Sequence, residues 1–270
     1  MVVLVTGCST GFGLLTALAF ARRGDRVFAT MRNLDKAGEL RAAADAEGLK
    51  VDVVALDVTD DASVTEAVAE VRRQAGTIDV LVNNAGIGGR SAVETYPDTL
   101  VRAIFETNVF GVLRMLRAVL PTMRENRSGA VVNVSSLAGL MGVPFNSMYS
   151  ASKHALEAIS EALALEVQPF GIRVTLIEPG YYRTNIGENV TAMTALSPES
   201  PYYEQERAAV DAVPDAVARG GDPQDVADAI VEAATTDSPR LRVPMGAPVL
   251  RGDGEWGQLM KRITIPATPT

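Results

Sequence analysis

Tyr149 and Lys153 stand four residues apart in the run Met148-Tyr-Ser-Ala-Ser-Lys153. On a helix that spacing puts both side chains on one face. A free phenol ionises near pH 10, so bringing it to about 7 takes three units, or about 4 kcal/mol. One nearby cation supplies roughly one to three units, so Lys153 with a second positive charge would suffice. The pair then reads as an acid–base device for an alcohol or carbonyl oxygen. Ser136, at the end of a strand, is placed to hydrogen-bond that oxygen and stabilise developing charge. A tyrosine and a lysine on one helix face are more often ordinary surface residues, so the pair alone leaves both readings open.

The elements that must carry these groups alternate short apolar runs with longer helical patterns, as in a parallel sheet covered by helices. Strands are expected at Val2–Thr6, Arg26–Thr30, Lys50–Leu56, Asp79–Asn83, Gly129–Ser135 and Arg173–Glu178. Helices are expected at Leu14–Arg23, Ala62–Ala75, Thr99–Glu125, Ser147–Gln168 and Pro223–Thr235, with Thr59-Asp60-Asp61 and Asp222 as cap signals. Thr99–Glu125 is apolar almost all round, which suggests burial on more than one side and a subunit contact. From Tyr181 to about Gly221 the periodicity weakens, as in an irregular lid or binding segment.

At the first strand-to-helix junction stands Thr6-Gly7-Cys8-Ser9-Thr10-Gly11-Phe12-Gly13. Glycines there let the backbone turn sharply, and the helix N-terminus faces amides toward a pyrophosphate. The spacing differs from G-x-G-x-x-G, with three residues between the first two glycines and one between the last two. An oxidised nicotinamide would bring the second positive charge that Tyr149 needs. The end of the second strand carries Met31-Arg32 and no carboxylate, which favours the 2′-phosphate of NADP(H) over NAD(H). NAD(H) stays possible, because Arg32 also reads as a solvated loop residue and Asp35 lies nearby.

The chain has 270 residues, of which 47% are hydrophobic, so a large core is available and disorder is excluded. A net charge of -8 argues against nucleic acid as a partner. The lone Cys8 and lone His154 give neither a disulfide framework nor metal-ligand spacing, so no metal is expected. Cys8 reads as a small residue in a crowded turn, and His154 points off the Tyr149/Lys153 face. There is no G-x-S-x-G elbow for a hydrolase. No run approaches a membrane span, and the N-terminus reads as a strand and not a signal peptide. A cytoplasmic location is therefore expected.

Together these motifs resemble the short-chain dehydrogenase/reductase family, in its single-domain branch. The likeness is strong over residues 2–186 and weak beyond. It implies that Gly7, Ser9, Thr10, Gly11, Phe12 and Gly13 cradle the cofactor and that Asp57-Val58 contact its adenine. Asn83-Asn84-Ala85-Gly86 is similar to the family's sheet-stabilising motif, with Asn84, Ala85 and Gly86 beside the cofactor. Pro179, Gly180, Tyr182 and Thr184 are expected around the nicotinamide carboxamide. Asn108, Ser136, Tyr149 and Lys153 match the catalytic tetrad, with Asn108 bending a helix and holding a relay water, and with Tyr149 and Lys153 also touching the cofactor. Ser136 is preferred to Ser135 by its spacing from the tyrosine.

A narrower likeness to hydroxysteroid and retinol dehydrogenases rests on Ala29–Asn33 and Leu140–Tyr149. By it Val143, Pro144 and Met148 line an apolar substrate cleft with Ser136 and Tyr149, covered by Tyr181 and the 190–210 segment; ordinary core is the equal alternative. The whole reads as one Rossmann-like α/β/α domain with a doubly wound parallel sheet over residues 1–264. Residues 185–221 form its lid and 265–270 a loose tail. Reversible hydride transfer between NADP(H) and a lipophilic alcohol or carbonyl is expected, in a homodimer or homotetramer. A non-catalytic redox sensor and a nucleotide-sugar epimerase or dehydratase are the alternatives. The intact tetrad counts against the first, and length, glycine spacing and the Asn83–Gly86 motif against the second.

Overall fold

Strands buried on both faces need near-continuous apolar sequence, and the six runs expected as strands all enter one sheet, with the third at its edge. In a computed structural model, which describes residues 1–184 and 196–246, they are β1 (Val2–Val5), β2 (Arg26–Met31), β3 (Val51–Ala55), β4 (Val80–Asn83), β5 (Gly129–Val134) and β6 (Ile172–Pro179). A seventh strand, β7 (Arg242–Met245), was not expected. It has four residues including Pro244, a composition that only an edge position tolerates. The order is β3-β2-β1-β4-β5-β6-β7, with every neighbouring pair parallel.

Helices cover both faces. On one side α1 (Gly11–Arg22), α2 (Gly38–Ala46) and α8 (Pro223–Thr235) pack through Leu18, Phe20, Leu40 and Ile230 against Val5, Val27 and Val132. On the other α3 (Asp61–Ala75), α5 (Gly111–Asn126) and α6 (Ser147–Val167) bring Val71, Met115 and Leu156 onto Leu4, Leu81 and Leu176. Asp60 caps α3 by accepting from the amides of Ala62 and Ser63, and Asp222 caps α8 by accepting from Gln224. These are the cap positions read from the sequence.

Three stretches differ from expectation. The run Thr99–Glu125 is α4 (Asp98–Phe105) and α5 joined by a wide π-helical turn, Glu106–Phe110, with Asn108 buried inside it. Its apolar residues are not buried all round: Ile104, Val109, Met115, Val119 and Met123 face in, while Phe110 is 49% exposed. Gly38–Ala46 gave no clear signal because only Leu40 and Ala44 of it are buried. The supposedly irregular 181–221 stretch contains α7 (Tyr203–Ala218), whose inward face is Glu206, Val210 and Val213. A carboxylate at a core position broke the apolar period there. The remainder of the expected lid, 185–195, and the tail 265–270 lie outside the described residues.

Candidate active site

The order of the sheet reverses between β1 and β4, and a crevice opens at the carboxyl ends of strands where it does. Thr6, just past β1, accepts at its hydroxyl from the amides of Asn84 and Ala85, both at 3.0 Å. The Asn84 side-chain amide donates back to the carbonyls of Thr6 and Gly7 at 2.9 and 3.0 Å. The glycine-rich turn is thus fastened to the end of β4. Gly7 and Gly11 take φ of +72° and +60°, conformations that disfavour a side chain. A Cβ on Gly13 would strike the Gly7 carbonyl.

This turn fits a dinucleotide. Thr10 begins α1 without a side-chain cap bond, leaving the helix's leading amides no side-chain acceptor. Among the described residues a Cβ on Gly11 would meet only Thr184, at 3.8 Å, so Thr184 borders the cradle. Cys8 is fully buried, donates to the Val5 carbonyl, and burial pushes its thiol up to about 12, which suits the structural reading. Phe12 meets the Tyr182 ring edge-on at 5.7 Å, and Tyr182 is buried in the core beneath the turn. The Tyr182 side chain therefore supports the turn, while its carbonyl accepts from the Thr184 amide. Asp57 holds its own turn, accepting from the Thr59 amide and hydroxyl, and Val58 packs against Gly111. Arg32 is exposed just past β2 and makes no ion pair among the described residues.

The four residues read as a tetrad come together on β5, the π turn and α6. Asn108 is locked in place: its Oδ1 accepts from the Ile87 amide at 2.9 Å. Its Nδ2 donates to the Ile87 carbonyl at 2.9 Å and to Ser152 at 3.0 Å. Ser136 sits in extended backbone past β5, accepts from the Ala138 amide and donates to the Pro179 carbonyl at 3.3 Å. Its hydroxyl also lies beside the Tyr149 phenol and eases that phenol's ionisation. Ser135 is occupied elsewhere, donating to Glu157 at 2.5 Å. Lys153 is buried, and its Nζ donates to the Val134 carbonyl at 2.8 Å and lies 5.7 Å from the Tyr149 ring centre.

The electrostatics differ from the simplest sequence expectation. Burial pushes the Tyr149 phenol above its ordinary value, with Ser136 opposing and the nearby Tyr181 hydroxyl adding to the rise. Lys153 is aimed at a carbonyl and not at the phenol oxygen. Burial lowers its own ammonium to about 8, against the pull of Glu157. Tyr149 is therefore protonated through neutral pH, and Lys153 is cationic below about pH 8.

At the mouth Tyr181 is 45% exposed and accepts from Arg90 at 2.9 Å. Val143 and Met148 are half-buried and Pro144 is exposed. Glu206 reaches from α7 to the loop after β4, accepting from the Ala92 amide at 2.7 Å and from Ser91 and Thr95 at 3.2 Å. Tyr202 donates to Glu94 at 2.7 Å. Sequence reading missed Arg90, Ser152, Glu157 and Glu206. Glu157 left a visible signal, an acid four residues after Lys153 on the same helix face. His154 is exposed, with Nδ1 against the Ser150 carbonyl. Among the described residues no three His, Cys, Asp or Glu converge as a metal site, and no helix is long and apolar enough to cross a membrane.

Residues 1–195 match the family model described as short chain dehydrogenase. The chain is 38% identical to human "Retinol dehydrogenase 8" over 250 residues, covering 89% of this chain and 79% of that protein. It is 36% identical to "3-ketodihydrosphingosine reductase" of Bacteroides thetaiotaomicron over 246 residues, covering 91% and 87%. A metagenomic short-chain oxidoreductase solved in complex with NADP superposes with a TM-score of 0.72 at 27% identity, covering 91% of this chain and 96% of that one.

Proposed function

The chain belongs to the short-chain dehydrogenase family, oxidoreductases of CH–OH donors, and from that membership we propose an NADP(H)-dependent enzyme interconverting a lipophilic alcohol and its carbonyl. The observation that carries the reading is the convergence of Ser136, Tyr149, Lys153 and Asn108 beside the glycine-rich turn. We read residues 1–264 as one domain with 185–221 as its lid.

A bound reduced nicotinamide supplies the hydride that the substrate's carbonyl carbon accepts. Ser136 donates a hydrogen bond to the carbonyl oxygen and orients it. Tyr149 gives its phenolic proton to that oxygen, completing the alcohol and leaving a phenolate. Lys153 stabilises the phenolate electrostatically and holds the ribose. Asn108 keeps the π turn open and places a relay water between Lys153 and solvent. A phenol held protonated at neutral pH favours this direction; oxidation runs the same steps backward and needs the tyrosine ionised. Because Lys153 loses its charge above about pH 8, reduction should hold below that pH and fall above it.

Arg32, exposed at the end of β2 with no carboxylate in its place, supports the 2′-phosphate of NADP(H). Val143, Met148 and Tyr181 supply the apolar side of the cleft, and the names of the two relatives are consistent with lipophilic substrates. The exposed Phe110 beside Val101 and Phe105 suits an interface between copies in a homodimer or homotetramer.

The test is NADPH consumption on retinoid, steroid, long-chain keto and short aliphatic carbonyls, with Kd for NADPH and NADH measured alongside. Turnover is expected on the lipophilic members, with NADPH bound more tightly. Arg32→Glu should weaken NADPH by roughly tenfold or more, the worth of one charge-assisted contact. Tighter NADH binding by the wild-type protein would contradict the cofactor assignment.

A further inference from the structure

Behind Lys153, on the α6 face of the sheet, lies a cluster of buried acids that the reaction above does not use. Glu157 is one helical turn beyond Lys153 and 5% exposed; Glu178, on β6, is fully buried. Glu157 accepts from Ser135 at 2.5 Å and from Arg242 Nε at 3.0 Å. Arg242, reaching in from β7, also donates to Glu161 at 2.9 Å, and its Nε stands 3.7 Å from Glu178. Neither Glu178 oxygen meets a hydrogen-bond donor among the described residues, and the two carboxyls are gathered around one atom, Arg242 Nε, at 3.0 and 3.7 Å.

Two buried carboxyl groups gathered on a single guanidinium nitrogen resist ionising together, so one of them keeps a proton. Glu157 has two donors already and is the anion. Glu178, raised to about 9 by burial and by the neighbouring acid, is the partner that carries the proton. The anion and the lysine share one face of α6, both buried. A Cβ on Gly139 would touch Ser135 Oγ, Lys153 Cβ and Glu157 Cγ at 2.8, 3.2 and 3.3 Å, so all three side chains pack on this glycine. The charged or titratable groups around the pair are Tyr149, Lys153 and Glu161 from α6 and Arg242 from β7.

We propose that Glu157 and Glu178, sharing one proton and clamped by Arg242, form the counter-charge that keeps the buried Lys153 cationic, which makes the last strand of the sheet part of the positioning machinery. Burial alone drives Lys153 toward neutrality, and Glu157 is the influence opposing it. The inference rests on the role given to Lys153 above, so its test reads the lysine directly as well as through turnover.

The chain has only four lysines, Lys36, Lys50, Lys153 and Lys261. Selective 13C-lysine labelling therefore gives a simple NMR spectrum, in which Lys153→Arg assigns the Lys153 signal. Glu157→Gln should lower the Lys153 titration midpoint by about one unit and move the alkaline limb of reductase kcat/KM down with it. Glu178→Gln, which keeps a neutral group of the same shape, should move the midpoint less than half as far. Glu157→Asp, which keeps the charge, should return it toward wild type and serves also if Glu157→Gln does not fold. An unmoved Lys153 midpoint in Glu157→Gln, or an equal shift in Glu178→Gln, overturns the proposal. A shifted midpoint with an unmoved kcat/KM profile upholds the counter-charge and instead refutes the role given to Lys153 in the reaction.

Discussion

The shelf that carries Ser136, Tyr149, Lys153 and Asn108 and the mouth around Tyr181 and α7 are built in different ways. On the shelf, polar side chains are held from the interior. Asn83 donates to Asn133 at 2.8 Å and Asn133 to Ser160 at 2.8 Å, tying β4, β5 and α6 through buried amides. Asn108 makes three bonds inside a π turn, and Lys153 ends on a backbone carbonyl. The mouth is held by a few side-chain ties spanning distant parts of the chain, Arg90 to Tyr181 and Glu206 to residues 91–95. Groups that move protons need fixed geometry, whereas groups that admit substrate sit on segments whose sequence can change without disturbing the sheet.

Three changes would break or sharpen this contrast. Gly13→Ala should do the greatest damage, because the added methyl strikes the Gly7 carbonyl and the Asn84 amide. A loss of NADPH affinity on the order of a hundredfold is expected, read by nicotinamide fluorescence. Glu206→Gln should act on the mouth alone. Weakening a buried charge-assisted tie costs about 1.5 kcal/mol or more, which should appear as roughly a tenfold rise in KM with kcat nearly kept. A fall in kcat at constant KM would show that the mouth is part of the shelf. Tyr181→Phe, which removes one hydrogen bond from Arg90, should raise KM by about fivefold at most.

The same contrast governs how much was legible in the sequence. Buried parallel strands show as unbroken apolar runs, and the glycine turn and the Tyr149/Lys153 spacing are local patterns, so the fold class and that pair could be read directly. The π turn at Asn108 could not, since its residues carry ordinary helical spacing and only the inferred resemblance pointed to a bend. β7 was hidden by its shortness, its proline and its arginine. Glu206 was missed because a carboxylate at a core position of α7 looks like a solvent-facing residue until the loop it grips is seen. Tyr182 shows the limit from the other side: a residue in a recognisable motif whose ring packs on Phe12.

The central claim is that the Tyr149 phenol gives the proton that completes the alcohol. Tyr149→Phe removes that proton and little else, because Ser136 and Lys153 keep their own partners at Pro179 and Val134. With a lipophilic carbonyl found by the screen, the variant should bind NADPH as wild type does and turn over at least about a thousandfold more slowly, in line with the loss of a positioned general acid. NADPH binding with turnover within about tenfold of wild type would show that another group delivers the proton, and the role assigned to Tyr149 would be wrong.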